Sequence, residues 1–231
     1  MLAFSLLGGS TDAHGVGRAQ PSSKAKPTPI KQTPADVRRH DRYYLSVACA
    51  VRGSESDDSP DRDGANCWGS KVGAVIVQGS GATGERIIST GYNGTPARFR
   101  NCLDGGCVRC EHRRTDPDAG GIGLDRCVCV HAEQNALLSA ARFGIAVAGS
   151  TIYSTLSPCF NCLKEAIQVG IVRFVYEKEY KADYEPELQR QYDDLVKRLR
   201  GGDRLNFERL VNGPTAVVPV GQFPDAGTKS A

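Results

Sequence analysis

The chain has 231 residues, of which 40% are hydrophobic and 24% are charged, a composition typical of globular proteins. This length accommodates one sizeable domain with extensions, or two small domains. The 29 Lys and Arg residues nearly balance the 26 Asp and Glu residues, which leaves a formal net charge of +3. So small a charge argues against a nucleic-acid polymer as partner, although a small anionic ligand needs only one or two cations.

The apolar segments of the chain are all too short for a membrane span, which needs about 20 apolar residues. The apolar opening, residues 1–7, lacks the basic start of a secretory signal. Nine cysteines would suggest disulfides in a small secreted protein, but in a chain of this kind they are more typical of metal sites in a reducing compartment. We therefore expect a cytoplasmic protein without a membrane segment.

Both ends of the chain are predicted to be flexible tails. Residues 1–34 are rich in Gly, Ser, Pro and Lys, and residues 212–231 contain several prolines. Neither end shows sustained hydrophobic periodicity, so we expect one folded domain at residues 35–211. Within this domain, the acidic stretch at residues 53–64 is predicted to be an exposed loop.

The first half of the domain is predicted to contain a helix and a β-hairpin. Apolar residues recur at helical spacing from Asp36 to Val51. Residues 72–77 form an apolar, β-branched run, and residues 86–91 are its predicted hairpin partner. Glycines at residues 91–94 then break the chain into a loop. Residues 97–125 have little periodicity, and so long a segment needs another reason to be ordered, such as a metal.

The second half of the domain is predicted to alternate helices and strands. The predicted order is helix 131–143, strand 150–155, helix 159–168, strand 171–176, helix 185–200 and a final strand 204–211. A strand, a helix and a strand of these lengths are typical of a parallel crossover unit. The pattern therefore predicts an α/β protein with helices packed on a sheet.

Residues at the starts of two of these helices predict a metal site. His131 begins one helix, and Cys159 and Cys162 begin the next. One imidazole and two thiolates can bind a tetrahedral Zn²⁺ and leave a fourth position for water, which is typical of catalytic zinc. The start of a helix also favours thiolate over thiol. The order H-x-E…P-C-x-x-C is a general signature of zinc-dependent base deaminases.

Glu133 lies two residues after His131 and is predicted to move protons. Bound zinc lowers the pKa of water toward about 7, so that hydroxide is available at neutral pH. Attack on C4 of a cytosine ring, with Glu133 passing a proton first to the ring and then to the amine, would give uracil and ammonia. The alternatives are a capping histidine and a redox C-x-x-C pair, which would give Glu133 no role.

Four segments of the chain resemble the cytidine and deoxycytidylate deaminase superfamily, and within it the dCMP deaminases. They are residues 71–77 (KVGAVIV), 89–96 (STGYNGTP), 129–137 (CVHAEQNAL) and 153–162 (YSTLSPCFNC). The resemblance extends over residues 43–211 and implies a three-layer α/β/α fold with a central mixed sheet. It also implies conversion of dCMP to dUMP for thymidylate synthesis, activation by dCTP, inhibition by dTTP and a homo-oligomer, usually a hexamer.

The loop after the hairpin is predicted to contact a nucleotide, either substrate or effector. Its glycines let backbone N–H groups approach a phosphate, and its asparagine offers both a donor and an acceptor. Two tyrosines are weaker candidates for contact with the base or phosphate. The candidates are Gly91, Tyr92, Asn93, Gly94, Tyr153 and Tyr180. The alternatives are an ordinary turn and two core tyrosines.

Six further cysteines predict a second metal site. They are Cys67, Cys102, Cys107, Cys110, Cys127 and Cys129. The resemblance implies a structural zinc held by Cys67, Cys102 and Cys129, with Cys110 or Cys107 as fourth ligand. Cys127 is a substitute ligand if the segment around it is extended, because alternate residues then point to one side. Such a zinc would order residues 97–125, whereas the alternative is a set of free thiols.

Two other functions stay open. One is deamination of another cytosine or adenine compound, including an adenosine in tRNA, although phosphate contacts to a polymer need clustered Lys and Arg. The other is a deaminase-like protein that binds nucleotides without turnover. The presence of Glu133 argues against that second alternative.

Overall fold

The computed structural model describes residues 34–54, 64–80, 84–116, 127–180, 184–200 and 206–210. The two predicted tails, apart from Pro34, and most of the predicted acidic loop lie outside these residues, so the predictions made for them stay predictions. Among the described residues, no helix is both long enough and apolar enough to span a membrane.

The described residues form helices and strands in the order that the sequence predicts. The helices are α1 (Pro34–Arg52), α2 (Val108–Thr115), α3 (Ala132–Arg142), α4 (Phe160–Gln168) and α5 (Pro186–Arg200). The strands are β1 (Gly73–Ser80), β2 (Gly84–Tyr92), β3 (Thr151–Leu156), β4 (Arg173–Lys178) and β5 (Asn206–Arg209). Helix α2, which follows a short 3₁₀ turn at Cys102–Asp104, is the helix that the sequence did not predict.

The strands form one mixed sheet in the order β2-β1-β3-β4-β5. Strand β1 pairs antiparallel with both β2 and β3, which confirms the predicted hairpin. Strands β3, β4 and β5 run parallel, and α4 connects the first two of them. The predicted parallel crossover unit is therefore confirmed.

Helices cover both faces of the sheet. Side chains alternate between the faces along each strand, so neighbouring residues of β1, β3 and β4 enter two different cores. On one face α1 packs in a core made of Tyr44, Leu45, Ala48, Val75, Val77, Tyr153 and Val175. On the other face the core includes Ile76, Ile152 and Phe174 of the sheet with Ala132, Ala136 and Leu163 of α3 and α4. The predicted three-layer α/β/α fold is confirmed.

Gly91 near the end of β2 lets the start of α3 lie directly on the sheet. A Cβ atom at this position would stand 2.3 Å from the carbonyl oxygen of Ala132 and 2.4 Å from the backbone nitrogen of Ala136. Because these are backbone atoms, a side chain here would push the whole helix away. The glycine therefore fixes the height of the N-terminus of α3 above the sheet.

Candidate metal centre and its pocket

The N-termini of α3 and α4 bring three metal-binding side chains together. His131 is the N-cap of α3, Cys159 is the N-cap of α4, and Cys162 lies in the first turn of α4. Nδ1 of His131 lies 3.3 Å from Sγ of Cys159 and 3.4 Å from Sγ of Cys162. A tetrahedral Zn²⁺ with ordinary bond lengths separates such a nitrogen and sulfur by about 3.6 Å. The three donors therefore fit the ion in both chemistry and spacing.

The environment of Cys159 favours its thiolate form. A hydrogen bond from the Cys162 thiol, together with the His131 ring and the backbone N–H of Cys162, lowers the pKa of Cys159 to about 4. Burial acts in the opposite direction and is outweighed. At neutral pH this cysteine is a thiolate, which is the form that binds metal.

A glutamine bridge ties the two helix starts to each other. The backbone N–H of His131 donates to Oε1 of Gln134 over 3.1 Å, and Nε2 of Gln134 donates to Oε1 of Glu165 over 3.0 Å. Gln134 thus connects the first turn of α3 to α4 and restrains the backbone that carries the imidazole. A glutamine three residues after an N-cap is the second half of a capping box, and this signal could have identified it in the sequence.

Glu133 is buried beside the three donors but lies outside their group. Its Oε1 accepts a hydrogen bond of 3.2 Å from Oγ of Ser154 on β3. Burial, and then the negative charge of Cys159, raises the pKa of Glu133 to about 7. A carboxyl group that titrates near neutrality can both accept and return a proton.

A cleft opens over His131, Glu133 and Cys159. Together with its open mouth it contains about 610 Å³ of empty space, part of which is open to solvent. Its other walls come from α2, from the cysteines predicted to hold a second metal, and from four segments of the sheet: the residues before β1, the turn after β2, the end of β3 and the residues after β4. Residues of these walls include Ser70, Asn93, Arg109, Arg113, Cys127, Cys129, Leu156 and Tyr180.

Asn93 is the residue of the predicted nucleotide loop that lines this pocket. Its Oδ1 accepts a hydrogen bond of 2.8 Å from the Val72 N–H, and its Nδ2 donates over 2.6 Å to the Ser70 carbonyl. These bonds fix the pocket wall. Gly91, Tyr92 and Gly94 are not among the pocket-lining residues. The structure therefore brings one of the four predicted loop residues to the pocket.

Tyr153 is not brought to the pocket, although the sequence suggested it as a nucleotide contact. It points into the α1 layer, where its hydroxyl donates a hydrogen bond of 2.9 Å to Asp41. The reason is strand alternation, because the next residue, Ser154, faces Glu133. Tyr180, the other tyrosine candidate, does line the pocket.

Two arginines of α2 line the pocket and were not identified from the sequence. Arg109 and Arg113 stand one helical turn apart and share a face. Nε of Arg109 is buried and has no hydrogen-bond partner among the described residues. These side chains place positive charge at a site that otherwise presents thiols and a carboxyl group.

All six cysteines predicted for a second metal gather in one place beside the pocket. We call this group the cysteine cluster: Cys67, Cys102, Cys107, Cys110, Cys127 and Cys129. Five of them are buried and Cys127 is half-buried. None of the nine cysteines forms a disulfide bond. The cluster anchors the 3₁₀ turn and α2, which explains how a segment with few apolar residues is ordered.

Comparisons with known proteins give one consistent result. Residues 58–178 match the family model for the cytidine and deoxycytidylate deaminase zinc-binding region. The chain is 40% identical over 145 residues to deoxycytidylate deaminase of Saccharomyces cerevisiae, a match that covers 63% of this chain and 39% of that relative. It is 38% identical over 143 residues to deoxycytidylate deaminase of Mycobacterium phage D29, with 60% and 94% covered.

A solved structure is also similar. The crystal structure of dCMP deaminase from the cyanophage S-TIM5 in apo form aligns with a TM-score of 0.48 and 25% identity over 78% of this chain and 100% of that one. The chain spans only about two fifths of the length of the yeast relative, 39%, but nearly all of the phage D29 relative, 94%.

Proposed function

The chain belongs to the cytidine and deoxycytidylate deaminase family, and from this premise we propose that it is a zinc-dependent hydrolase that converts dCMP to dUMP and ammonia. The observation that carries the proposal is that the metal-binding side chains of His131, Cys159 and Cys162 lie together, and that His131 and Cys159 line a pocket with the buried carboxyl group of Glu133. The names of the yeast and phage D29 relatives support dCMP as the substrate.

His131, Cys159 and Cys162 would hold the catalytic Zn²⁺. Two sulfurs and one imidazole form a donor set that zinc prefers, and His131 and Cys159 line the pocket from which water would reach the ion. When bound, the ion supplies Lewis acidity to the reaction. The Gln134 bridge between α3 and α4 would keep the histidine and the two cysteines at a fixed separation.

Glu133 would carry protons between water and the substrate. In the overall reaction a C4–O bond forms, the C4–N bond breaks and ammonia leaves with one proton more than the amine held. The Glu133 carboxyl group would take a proton from the attacking water, deliver it to the ring nitrogen next to C4 and then transfer a proton to the amine. Its raised pKa and its anchoring by Ser154 support this role.

Arg109 and Arg113 would bind the 5′-phosphate. Both guanidinium groups line the pocket, and Arg109 has a buried Nε without a partner among the described residues. Guanidinium groups bind phosphate through paired, charge-assisted hydrogen bonds. Phosphate binding by these two arginines would make a nucleotide a better substrate than a nucleoside, which has no phosphate.

The cysteine cluster would hold a structural zinc. The predicted ligands Cys67, Cys102, Cys110 and Cys129 are all buried, and Sγ of Cys67 lies 4.0 Å from Sγ of Cys110. A tetrahedral zinc separates two of its sulfur ligands by about 3.8 Å. The thiols support a cytoplasmic location as well, since none of the nine forms a disulfide.

Domain limits, assembly and regulation complete the proposal. We place the catalytic domain at residues 35–211, because the described elements from α1 to β5 all contribute to one layered sheet structure. Assembly into a homo-oligomer, a hexamer by the family resemblance, is supported by Leu138 and Phe143, whose side chains are 59% and 70% exposed. Activation by dCTP and inhibition by dTTP rest on the resemblance alone.

A substrate panel tests the proposed reaction. The full chain, purified with its metal, would be incubated with dCMP, cytidine and single-stranded DNA while ammonia release is measured. We expect the highest kcat/KM with dCMP and no release by a Glu133→Ala variant that keeps its zinc. Faster release from cytidine or DNA would favour a different deaminase, and binding of dCMP without any release would favour a nucleotide-sensing protein.

A further inference from the structure

The cysteine cluster has two more thiols than one tetrahedral ion can use. The sulfurs within each of three groups lie within 4.8 Å of one another: Cys67 with Cys102 and Cys110, Cys102 with Cys107 and Cys129, and Cys107 with Cys110 and Cys127. The Cys129 thiol interacts in addition with those of Cys67, Cys110 and Cys127. Cys110 and Cys129 are therefore the two members that neighbour every other member.

Two sets of four mutually neighbouring sulfurs together include all six cysteines, whereas a third such set, Cys102, Cys107, Cys110 and Cys129, leaves out Cys67 and Cys127. In each set every sulfur neighbours the other three, as the corners of a tetrahedron do. Of the two sets that include all six, one is Cys67, Cys102, Cys110 and Cys129, and the other is Cys107, Cys127, Cys110 and Cys129. These two sets share Cys110 and Cys129. Two tetrahedra that share an edge are the geometry in which six thiolates hold two zinc ions.

We propose that the cysteine cluster is a binuclear site for Zn²⁺, in which Cys110 and Cys129 bridge the two ions. Cys67 and Cys102 would supply the other two ligands of the first ion, and Cys107 and Cys127 would supply the other two ligands of the second. The second ion is an addition to the single structural zinc of the proposed function, and neither ion takes part in the deamination chemistry.

A sulfur pair at ligand spacing occurs in each of the two sets. Sγ of Cys67 lies 4.0 Å from Sγ of Cys110 in the first set, and Sγ of Cys107 lies 3.9 Å from Sγ of Cys127 in the second. Two sulfur ligands of one tetrahedral zinc are about 3.8 Å apart. A disulfide would need about 2.05 Å, so Cys107 and Cys127 are arranged as ligands of one ion and not as a bonded pair.

The start of α2 repeats the local arrangement of the catalytic cysteines. Cys107 is the N-cap of α2 and Cys110 is its third residue, as Cys159 and Cys162 are for α4. In both helices two cysteine side chains therefore share the face at an N-terminus. Cys107, one of the two cysteines that a single zinc would leave unused, has 0% of its surface exposed.

The net charge of the metal-loaded cluster also favours two zinc ions over one. Six thiolates with one Zn²⁺ carry a net charge of −4, since 2 − 6 = −4, whereas six thiolates with two Zn²⁺ carry −2, since 4 − 6 = −2. Arg109 and Arg113 line the same pocket as Cys127 and Cys129 and place positive charge beside the cluster. The second ion would also fix α2, because its ligand Cys107 begins that helix, and so hold both arginines at the pocket.

The metal content of the full chain tests the proposal. Elemental analysis after purification in zinc should give three zinc ions per chain, one catalytic and two in the cluster. Cys107→Ser or Cys127→Ser should remove one of them, and Cys110→Ser should remove two. Cys49→Ser, which changes a cysteine outside the cluster, should keep all three. Iron in place of zinc, or a wild-type content of two that Cys107→Ser leaves unchanged, would overturn the binuclear assignment.

Cadmium NMR gives a second readout that requires no variant. The full chain loaded with ¹¹³Cd should show two tetrathiolate resonances that split each other, because bridging sulfurs transmit the coupling between the ions. One such resonance without splitting would establish a single-ion cluster. A complete absence of tetrathiolate signals would refute the structural zinc as well, while ammonia release from dCMP would still test the deaminase proposal independently.

Discussion

Ser154 Oγ donates a hydrogen bond to Glu133 Oε1 over 3.2 Å, and it joins the middle of the sheet to the proposed proton carrier. This bond lowers the pKa of Glu133, against the larger effect of burial that raises it. Ser154 is fully buried, so water would not replace the lost donor. The side chain is therefore expected to set both the orientation and the titration of the carboxyl group.

The Ser154→Ala variant is expected to lose about tenfold in kcat, because a hydrogen bond to a charged group contributes about 1.5 kcal/mol. The KM for dCMP should change little. The acid limb of the pH–rate profile should move to higher pH, since Glu133 acts as a base and its pKa rises when the donor is removed. Ser150→Ala is the matched control, because the Ser150 hydroxyl is buried without a partner among the described residues. An unshifted acid limb in Ser154→Ala would contradict this role.

Glu133→Gln should lower kcat by about 10²–10⁴, the usual contribution of general acid–base catalysis, because an amide cannot carry a proton between water and the ring. Glu133 lies outside the group of three metal-binding donors, so zinc content should stay at the wild-type value. His131→Ala is the informative comparison, since it should lose the catalytic zinc together with the activity. Loss of zinc in Glu133→Gln would instead make the glutamate a ligand.

Arg113→Ala should reduce kcat/KM for dCMP by about 10- to 100-fold, the effect of losing a charge-assisted hydrogen bond to phosphate. For cytidine, which has no phosphate, the same change should have little effect. Arg109→Ala is expected to behave in the same way. Arg114→Ala serves as control in the same helix, because Arg114 is exposed and paired with Glu111. If both substrates lose activity equally, the arginine has a structural role and does not bind phosphate.

The catalytic donors could be predicted from the sequence because each stands at a helix start that hydrophobic periodicity reveals. His131 precedes one apolar stripe, and Cys159 precedes another. Helix α2 escaped prediction because its sequence, VRCEHRRT, has almost no apolar face. Its order comes from cysteines that meet partners far away in the chain, so Arg109 and Arg113 could not be assigned to the pocket without the structure.

It was equally hard to predict which side chains of β3 point toward α3 and which point toward α1. Residues 151–156 include four consecutive buried positions, so their polarity does not tell which side chains point toward α3. A shift of one residue exchanges the two faces of a strand. Tyr153 and Ser154 therefore lie on opposite faces of β3. Tyr153 contacts Asp41 on the α1 side, whereas Ser154 contacts Glu133 at the pocket. The position of a residue in the strand alternation therefore says more about its role than its aromatic character does.

Asp41→Ala should destabilise the fold by about 3–5 kcal/mol, because it leaves the charge of Arg173 buried without its main partner. Arg173 donates to Asp41 Oδ1 over 2.6 Å and to Oδ2 over 2.9 Å, and Asp41 also accepts the Tyr153 hydroxyl. Urea denaturation of both proteins would measure the loss. Activity per folded molecule should be retained, since this network lies on the α1 side of the sheet, opposite the pocket.

Glu208→Ala is the matched control for this ion pair, because it removes the other carboxylate bound to Arg173. The Glu208 side chain is 49% exposed, whereas that of Asp41 is 3% exposed. Exposed ion pairs contribute about 0–1 kcal/mol, so this variant should unfold at nearly the wild-type urea concentration. Equal losses in the two variants would mean that burial does not determine the strength of these pairs. A loss of dCMP turnover confined to Asp41→Ala at full folding would instead connect the α1 layer, and Tyr153 with it, to the reaction.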